Sequence, residues 1–261
     1  MDLQLSGKTA FVSGSTAGIG LAIATSLARE GAKVIVNGRT PEAVERAQDE
    51  IQAITGAAVE VFAGDMSQAA VAEALIARFP KIDILVNNLG IFEPKAFEDI
   101  PDEDWTRFFD INVLSGVRLA RLVLPAMKAA DWGRIIFISS ESGVQIPTEM
   151  IHYGMTKTAQ LAVSRGLAES LAGTGITVNS VLPGPTRSRG VNDFVDAISG
   201  GADFEAFEKE FFEKVRPSSV IKRFATTEEV ASMVTYVASP LASATTGAAL
   251  RVDGGVLRSA V

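Results

Sequence analysis

Ser13-Gly14-Ser15-Thr16-Ala17-Gly18-Ile19-Gly20 is the stretch whose reading decides the fold. It follows a compact apolar run, Ala10-Phe11-Val12, and leads into Ile19, Ile23 and Leu27, which recur on one helical face. A buried strand over 8–13, a glycine turn and a helix over 18–29 are expected, with Gly31 as the stop. Glycines permit a tight turn and let a ligand phosphate approach the backbone. The helix N-terminus adds free N–H groups and a partial positive charge. The spacing is Gly-x-x-x-Gly-x-Gly rather than the common Gly-x-Gly-x-x-Gly. Two competing motifs fail. Gly7-Lys8-Thr9 matches the end of a phosphate-binding P-loop, but Asp2 stands where that loop needs glycine. Gly14-Ser15-Thr16-Ala17-Gly18 has the spacing of a hydrolase elbow, but its central residue is Thr16 rather than serine.

Outward from this turn, short apolar runs alternate with helical patterns. Strands are expected over 33–37, 58–62, 83–86, 134–139, 176–182 and 248–252. Helices are expected from Thr40-Pro41 to about 54, over 68–79, from Pro101 towards 127 with a bend at Pro125, over 151–171, and from Thr226/Thr227 to about 237. Apolar strands separated by helices imply a parallel sheet covered on both faces. The expected class is therefore α/β, a doubly wound parallel sheet of Rossmann type. The whole of 1–261 reads as one domain, with residues 185–224 an elaboration at the substrate end.

Within that elaboration, residues 190–216 are expected to form a helical lid. Phe204, Phe207 and Phe211 fall on one helical face, Phe194 and Phe212 add further rings, and Gly200-Gly201 divides the stretch. Glu205, Glu208, Lys209 and Glu213 should face water. Arg187 and Arg189, just before it, offer charge for one carboxylate or for a cofactor.

Composition narrows the function. Apolar residues are 47% of the 261, enough for a large core, and 24 basic against 31 acidic residues leave a charge of −7. Such a chain repels nucleic acid and anionic membranes, so neither is an expected partner. There is no cysteine and one histidine, His152. Thiol catalysis, disulfides and histidine-rich zinc sites are excluded, and no metal is expected. A cytoplasmic setting fits. The N-terminus shows no signal-peptide pattern. Residues 10–28 carry no charge, but their hydroxyls and three glycines make a poor membrane span.

Tyr153 and Lys157 lie four apart on an expected helix and share a face. Ser140 ends an expected strand, at the carboxyl edge where α/β folds bind ligands. A phenol titrates too high for proton transfer at neutral pH unless a nearby ammonium favours its phenolate. A serine hydroxyl can polarise or orient a carbonyl. Together the three could donate a proton to a ketone oxygen as hydride reaches its carbon. His152, next to Tyr153, reads as structural or substrate-lining; a Ser-His-Asp hydrolase would have to use it, and no elbow exists to pair with it.

In these pieces the chain resembles the short-chain dehydrogenase/reductase family over nearly its whole length. The matching residues stand in family order: the glycine turn, Asp65, Asn87-Asn88-Leu89-Gly90, Asn112, Ser140, Tyr153-x-x-x-Lys157 and Pro183-Gly184. The resemblance implies that Tyr153 is the acid–base and that Ser140 positions the substrate oxygen. Lys157 would hold the nicotinamide ribose and depress the Tyr153 pKa, and Asn112, at a helix irregularity, would hold a water in a relay to Lys157. It implies cofactor contacts from Gly14, Ser15, Thr16, Gly18, Ile19 and Gly20, from Asp65 and Met66 at the adenine, and from Asn88, Leu89 and Gly90. Pro183, Gly184 and Thr186 would lie at the nicotinamide. Ser13 for the usual threonine and Leu89 for the usual alanine are departures that remove no catalytic group. A homotetramer or homodimer is implied, joined through the helices of Asn112 and Tyr153 and the tail 254–261.

Strand two ends Val36-Asn37-Gly38-Arg39-Thr40. An NAD enzyme places a carboxylate there for the ribose hydroxyls. By comparison with the family, Gly38 occupies that position, and Arg39 offers a charged fork to a 2′-phosphate, with Asn37 or Thr40 as added donors. NADP(H) is thus favoured over NAD(H), although no basic residue stands at Ala17 in the turn. The substrate is expected to be a small carbonyl or alcohol, neutral or monoanionic and partly apolar. The alternatives are an NAD-dependent alcohol dehydrogenase, a non-catalytic nicotinamide-binding regulator, and a reductase of carrier-bound 3-oxoacyl groups docked on Arg118, Arg121, Lys128 and Arg165.

Overall fold

The structure, a computed structural model, describes residues 2–188 and 204–260. Arg189, just before the expected lid, and Phe194, Gly200 and Gly201 within it lie outside the described residues.

Seven strands form one parallel sheet: β1 (Thr9–Val12), β2 (Lys33–Gly38), β3 (Glu60–Ala63), β4 (Ile84–Asn87), β5 (Gly133–Ile138), β6 (Ile176–Pro183) and, last in the chain, β9 (Ala249–Val252). Their spatial order is β3-β2-β1-β4-β5-β6-β9. The order reverses between β1 and β4, and an open α/β sheet has its ligand crevice at the carboxyl end of such a switch point.

Strand side chains alternate between two cores because successive Cβ atoms point to opposite faces. Ala10, Val12, Ile136 and Ile138 join one cluster, which α1 (Gly18–Arg29), α2 (Pro41–Thr55) and the C-terminal helix cover. Phe11, Leu85, Ile135 and Phe137 join the other, covered by α3 (Ala69–Arg78), α5 (Ser115–Ala130) and α6 (Ile151–Ser170). The fold is the doubly wound α/β arrangement expected.

Local chemistry explains the helix ends. Thr40 accepts from the Ala43 N–H, Pro41 fills the first turn, and Gly56 closes α2 at φ 71°. Thr226 and Glu229 form a reciprocal capping box that starts α8 (Thr227–Ala238).

The expected helix from 101 towards 127 is the main difference. It divides into α4 (Asp102–Phe109), a π turn over Asp110–Leu114 and α5, with Pro125 inside α5. Single π turns relax the hydrogen-bond ladder and concentrate at functional sites.

Two short strands at the ends of the 185–224 elaboration were not expected. Thr186–Arg187 (β7) and Ala225–Thr226 (β8) pair as a parallel two-stranded sheet that joins its two ends. Between them lies α7 (Phe204–Lys214), where a helix was expected. Its rings gather on Phe224: Phe204, Phe207, Phe211 and Phe212 all lie 5.0–6.4 Å from it, centroid to centroid. Phe212, off the expected face, is the one buried at 2% exposure. Glu208 does not simply face water; it accepts from the Phe224 N–H at 2.8 Å.

Candidate active site

The glycine turn is held from inside by neutral polar groups. Gly14 and Gly18 adopt φ of +62° and +56°, left-handed values that favour glycine. A Cβ on Gly20 would lie 2.4 Å from the Gly14 oxygen, so the helix can start this close to the turn only with glycine there. The Ser15 hydroxyl donates to Val12 O at 2.7 Å and accepts from Asn37 N at 2.9 Å. It braces the turn from inside and is fully buried. Asn88 donates through Nδ2 to the Ser13 and Gly14 oxygens, both at 3.0 Å. Ser13 Oγ receives the Asn88 and Leu89 N–H groups, so serine supplies the hydroxyl this contact requires.

Asn37 was read as a donor to a phosphate, and the structure assigns it elsewhere. Its Oδ1 accepts from Gly14 N, and its Nδ2 donates to the Phe62 and Gly64 oxygens. No donor remains for a ligand. Arg39, by contrast, is exposed at the end of β2. Gly38 is packed under Thr16, whose Cγ2 would lie 2.4 Å from an added Cβ.

The other expected contacts are spread along the carboxyl edge. Asp65 accepts from both the backbone and the hydroxyl of Ser67. Met66 is 1% exposed and its side chain belongs to the core. Thr186 is buried and donates to Gly184 O at 2.9 Å, while Gly184 itself lies against the Asp253 backbone. Pro183 ends β6. The dinucleotide reading fits this donor set: glycine backbone, a helix N-terminus and an exposed arginine.

Ser140, Tyr153, Lys157 and Asn112 converge at the carboxyl end of β5. Ser140 begins a short 3-10 turn (Glu141–Gly143) and accepts from Ser142 N. The Ser139 hydroxyl donates to Lys157 O at 2.8 Å, pinning α6 to the strand end. Asn112, in the π turn, exchanges bonds with the Ile91 backbone in both directions and donates to Thr156 Oγ1. A Cβ on Gly90 would lie 3.5 Å from Lys157 Nζ.

The electrostatics differ from expectation. The Tyr153 phenol is pushed up to about 12, because burial outweighs its hydrogen bond with Ser140, and the Glu141 carboxylate adds to the rise. Burial pushes Lys157 down to about 8. The Lys157 ammonium donates to Ile138 O at 2.9 Å and lies 5.5 Å from the Tyr153 ring centre. In this arrangement lysine does not depress the tyrosine pKa, since desolvation dominates both groups.

Two features escaped the sequence reading. Glu141, adjacent to Ser140, is ion-paired at 2.9 Å with Arg216, just beyond α7; both are buried. Gln160, one turn past Lys157, is 1% exposed and hydrogen-bonded at both ends of its amide. Glu141 had a signal in its place after Ser140; the partner, 75 residues away, had none. His152 is fully buried, its ring 4.0 Å from that of Phe108, and burial lowers its pKa. It is packing.

Among the described residues no helix is long and apolar enough to cross a membrane, and no group of acidic or histidine side chains could hold a metal.

Residues 14–257 match a family model described as enoyl-(acyl carrier protein) reductase. An uncharacterised oxidoreductase of Bacillus subtilis, YvaG, is 49% identical over 99% of both chains. The D-beta-hydroxybutyrate dehydrogenase of Cupriavidus necator is 37% identical, over 97% of this chain and 98% of that one. Among solved structures, L-sorbose reductase from Gluconobacter frateurii, complexed with NADPH and L-sorbose, superposes with a TM-score of 0.94 at 31% identity, over 99% of this chain and 100% of that one. With the parallel sheet, glycine turn and Ser-Tyr-Lys order, these likenesses make the chain an oxidoreductase of the short-chain dehydrogenase/reductase family.

Proposed function

We propose that the chain is a cytoplasmic, NADP(H)-dependent reductase of ketones, or dehydrogenase of the matching secondary alcohols. The observation that carries this reading is the convergence of Ser140, Tyr153 and Lys157 at the end of β5, beside the π turn of Asn112. When bound, the nicotinamide supplies a hydride to the carbonyl carbon or accepts one from the alcohol carbon. Tyr153 Oη gives its proton to the carbonyl oxygen in reduction and takes it back in oxidation. A phenol held near 12 is fully protonated at neutral pH, as an acid must be. The Ser140 hydroxyl holds the same substrate oxygen. Lys157, charged below about pH 8, would hold the nicotinamide ribose beside the phenol.

Gly14, Thr16, Gly18, Ile19 and Gly20 would hold the pyrophosphate, on the turn that Ser15 and Asn88 brace. Asp65 and the Met66 backbone would meet the adenine. Leu89, Gly90, Pro183, Gly184 and Thr186 would line the nicotinamide half, with Tyr153 and Lys157 at its ribose. Arg39 beside Gly38 supports a 2′-phosphate, and the likeness to a reductase complexed with NADPH agrees with it.

Phe92 stands edge-on to Tyr153 at 6.3 Å, and Phe92, Val144 and Ile146 are all exposed. Phe92 beside the phenol favours a partly apolar, neutral or monoanionic carbonyl. Carrier-bound substrates are less well supported, because Arg165 is paired with Glu169 and Arg118 donates to Ser67 O. The family likeness supports a homodimer or homotetramer, which light scattering would test.

The functional test is oxidation of NADPH and NADH against ketoses, 3-oxo acids and aliphatic ketones, with the reverse reaction on the alcohols. Turnover with a neutral or monoanionic ketone, faster with NADPH, is expected. No turnover in either direction would overturn the reading in favour of a non-catalytic nicotinamide-binding protein.

A further inference from the structure

Gln160 faces Lys157 from one turn further along α6, and its inference rests on the proposed Tyr153–Lys157 chemistry. Its Nε2 donates to the main-chain oxygen of Asn112 at 2.6 Å. Its Oε1 accepts from Lys157 Nζ at 3.4 Å, a long contact beside the ammonium's 2.9 Å bond to Ile138 O. The orientation of the amide follows from its partners. A carbonyl oxygen only accepts and an ammonium only donates, so the NH₂ end must face Asn112 and the oxygen must face Lys157. A buried amide costs free energy that an apolar side chain of the same size would not, unless its hydrogen bonds are made. Here both are made, and both lead to residues of the candidate site.

We propose that Gln160 is the positioning residue of Lys157, tying its ammonium to the Asn112 carbonyl in the π turn. One lone pair of the Asn112 carbonyl is thus occupied by protein. An amide does not readily carry a proton, so Gln160 holds the ammonium in place rather than relaying through it.

The charged neighbours leave this role to the amide. The elements packed against α6 carry Asp102, Glu103, Asp104, Arg107, Asp110, Arg134, Glu141 and Glu149, and α6 itself carries His152, Tyr153, Arg165 and Glu169. Glu141 is paired with Arg216, Glu149 lies 3.6 Å from the same arginine, and Asp104 is paired with Lys95 and Arg107. Burial lowers the Lys157 pKa, and the oxygens its ammonium reaches are the neutral ones of Ile138 and Gln160. Removing the Gln160 oxygen should lower the Lys157 pKa, and a carboxylate in its place should raise it.

The test uses Gln160→Met and Gln160→Glu in the full chain. Lys157 is titrated by NMR on protein labelled with ¹³Cε-lysine, free of nucleotide, its signal identified by its loss in Lys157→Arg. The midpoint should fall by about one pH unit in Gln160→Met and rise by about one in Gln160→Glu. The alkaline limb of kcat/KM for ketone reduction should move in the same two directions. A midpoint unmoved in both variants, or moved the same way in both, overturns the proposal. If Gln160→Met does not fold, the sign in Gln160→Glu decides. The titration needs no turnover, so an inactive wild type would strike the functional reading and leave this one to be judged by NMR.

Discussion

At the glycine turn, Ser15 and Asn37 are buried but neutral, and each side-chain polar atom has a partner. At the catalytic cluster, also on the carboxyl edge of the sheet, Lys157, Glu141 and Arg216 are buried and ionisable. The pKa values of Tyr153 and Lys157 are displaced there, and Glu141 Oε2 has no hydrogen-bond partner. The first region fixes a shape with uncharged hydrogen bonds and should be indifferent to pH. The second holds charge out of water at a cost in stability, and strongly shifted groups of this kind concentrate where chemistry occurs.

The largest effect that sharpens this contrast should come from Arg216→Met. It leaves Glu141 buried without its cation, and breaking such a pair costs about 3–5 kcal/mol. Urea unfolding should show a loss of that order. Adding Glu141→Gln should recover part of it, because the two changes share one interaction. A single-variant loss within the error of the wild type would mean that the pair is solvated.

Next is the pH dependence of stability. Lys157 titrates at about 8 when folded against 10.5 for an ordinary lysine. Between these values the unfolded chain binds the extra proton, so stability rises with pH through the window, by about 3 kcal/mol in full. Tyr153 acts oppositely. Its pKa rises from 10 to about 12, so the unfolded chain loses its proton first and stability falls across that window. Unfolding followed from pH 7 to 10 should show the rise in the wild type and not in Lys157→Met. Equal slopes would show that Lys157 is not desolvated.

A smaller effect is expected at the turn. Gly38→Asp with Arg39→Leu should exchange NADPH preference for NADH, the lost phosphate contact being worth about 1.5–3 kcal/mol, or ten-fold and more. Thr16→Ala belongs in the same variant, since Thr16 Cγ2 fills the space an aspartate Cβ needs. An unchanged ratio of kcat/KM for the two cofactors would show that Arg39 does not read the phosphate.

How far each region could be read from sequence follows the same division. The turn and α1 were legible because glycine spacing and apolar period are local signals, and α1 begins and ends where expected. Even so, Asn37 was assigned outward and is consumed inward, since type and spacing do not reveal which way an amide points. The π turn was visible only through the family resemblance, which puts a helix irregularity at Asn112; the residue pattern alone reads 101–127 as one helix, because Asp110-Ile111-Asn112-Val113-Leu114 continues it. Ser140, Tyr153 and Lys157 could be picked out by order and spacing, but not the sense of their pKa shifts. That depends on burial, and burial comes from β5, α6 and the π turn together. The Glu141–Arg216 pair spans 75 positions, and nothing local marks it.

The central claim is that Tyr153 Oη carries the proton between enzyme and substrate oxygen. A single-turnover measurement tests it: wild type and Tyr153→Phe, each saturated with NADPH, are mixed with a ketone that the wild type reduces, and hydride transfer is followed by absorbance. Loss of general acid catalysis should slow that step by about 10²–10⁴-fold, with the NADPH Kd within a few-fold of wild type. A Tyr153→Phe enzyme that transfers hydride at close to the wild-type rate would contradict the account.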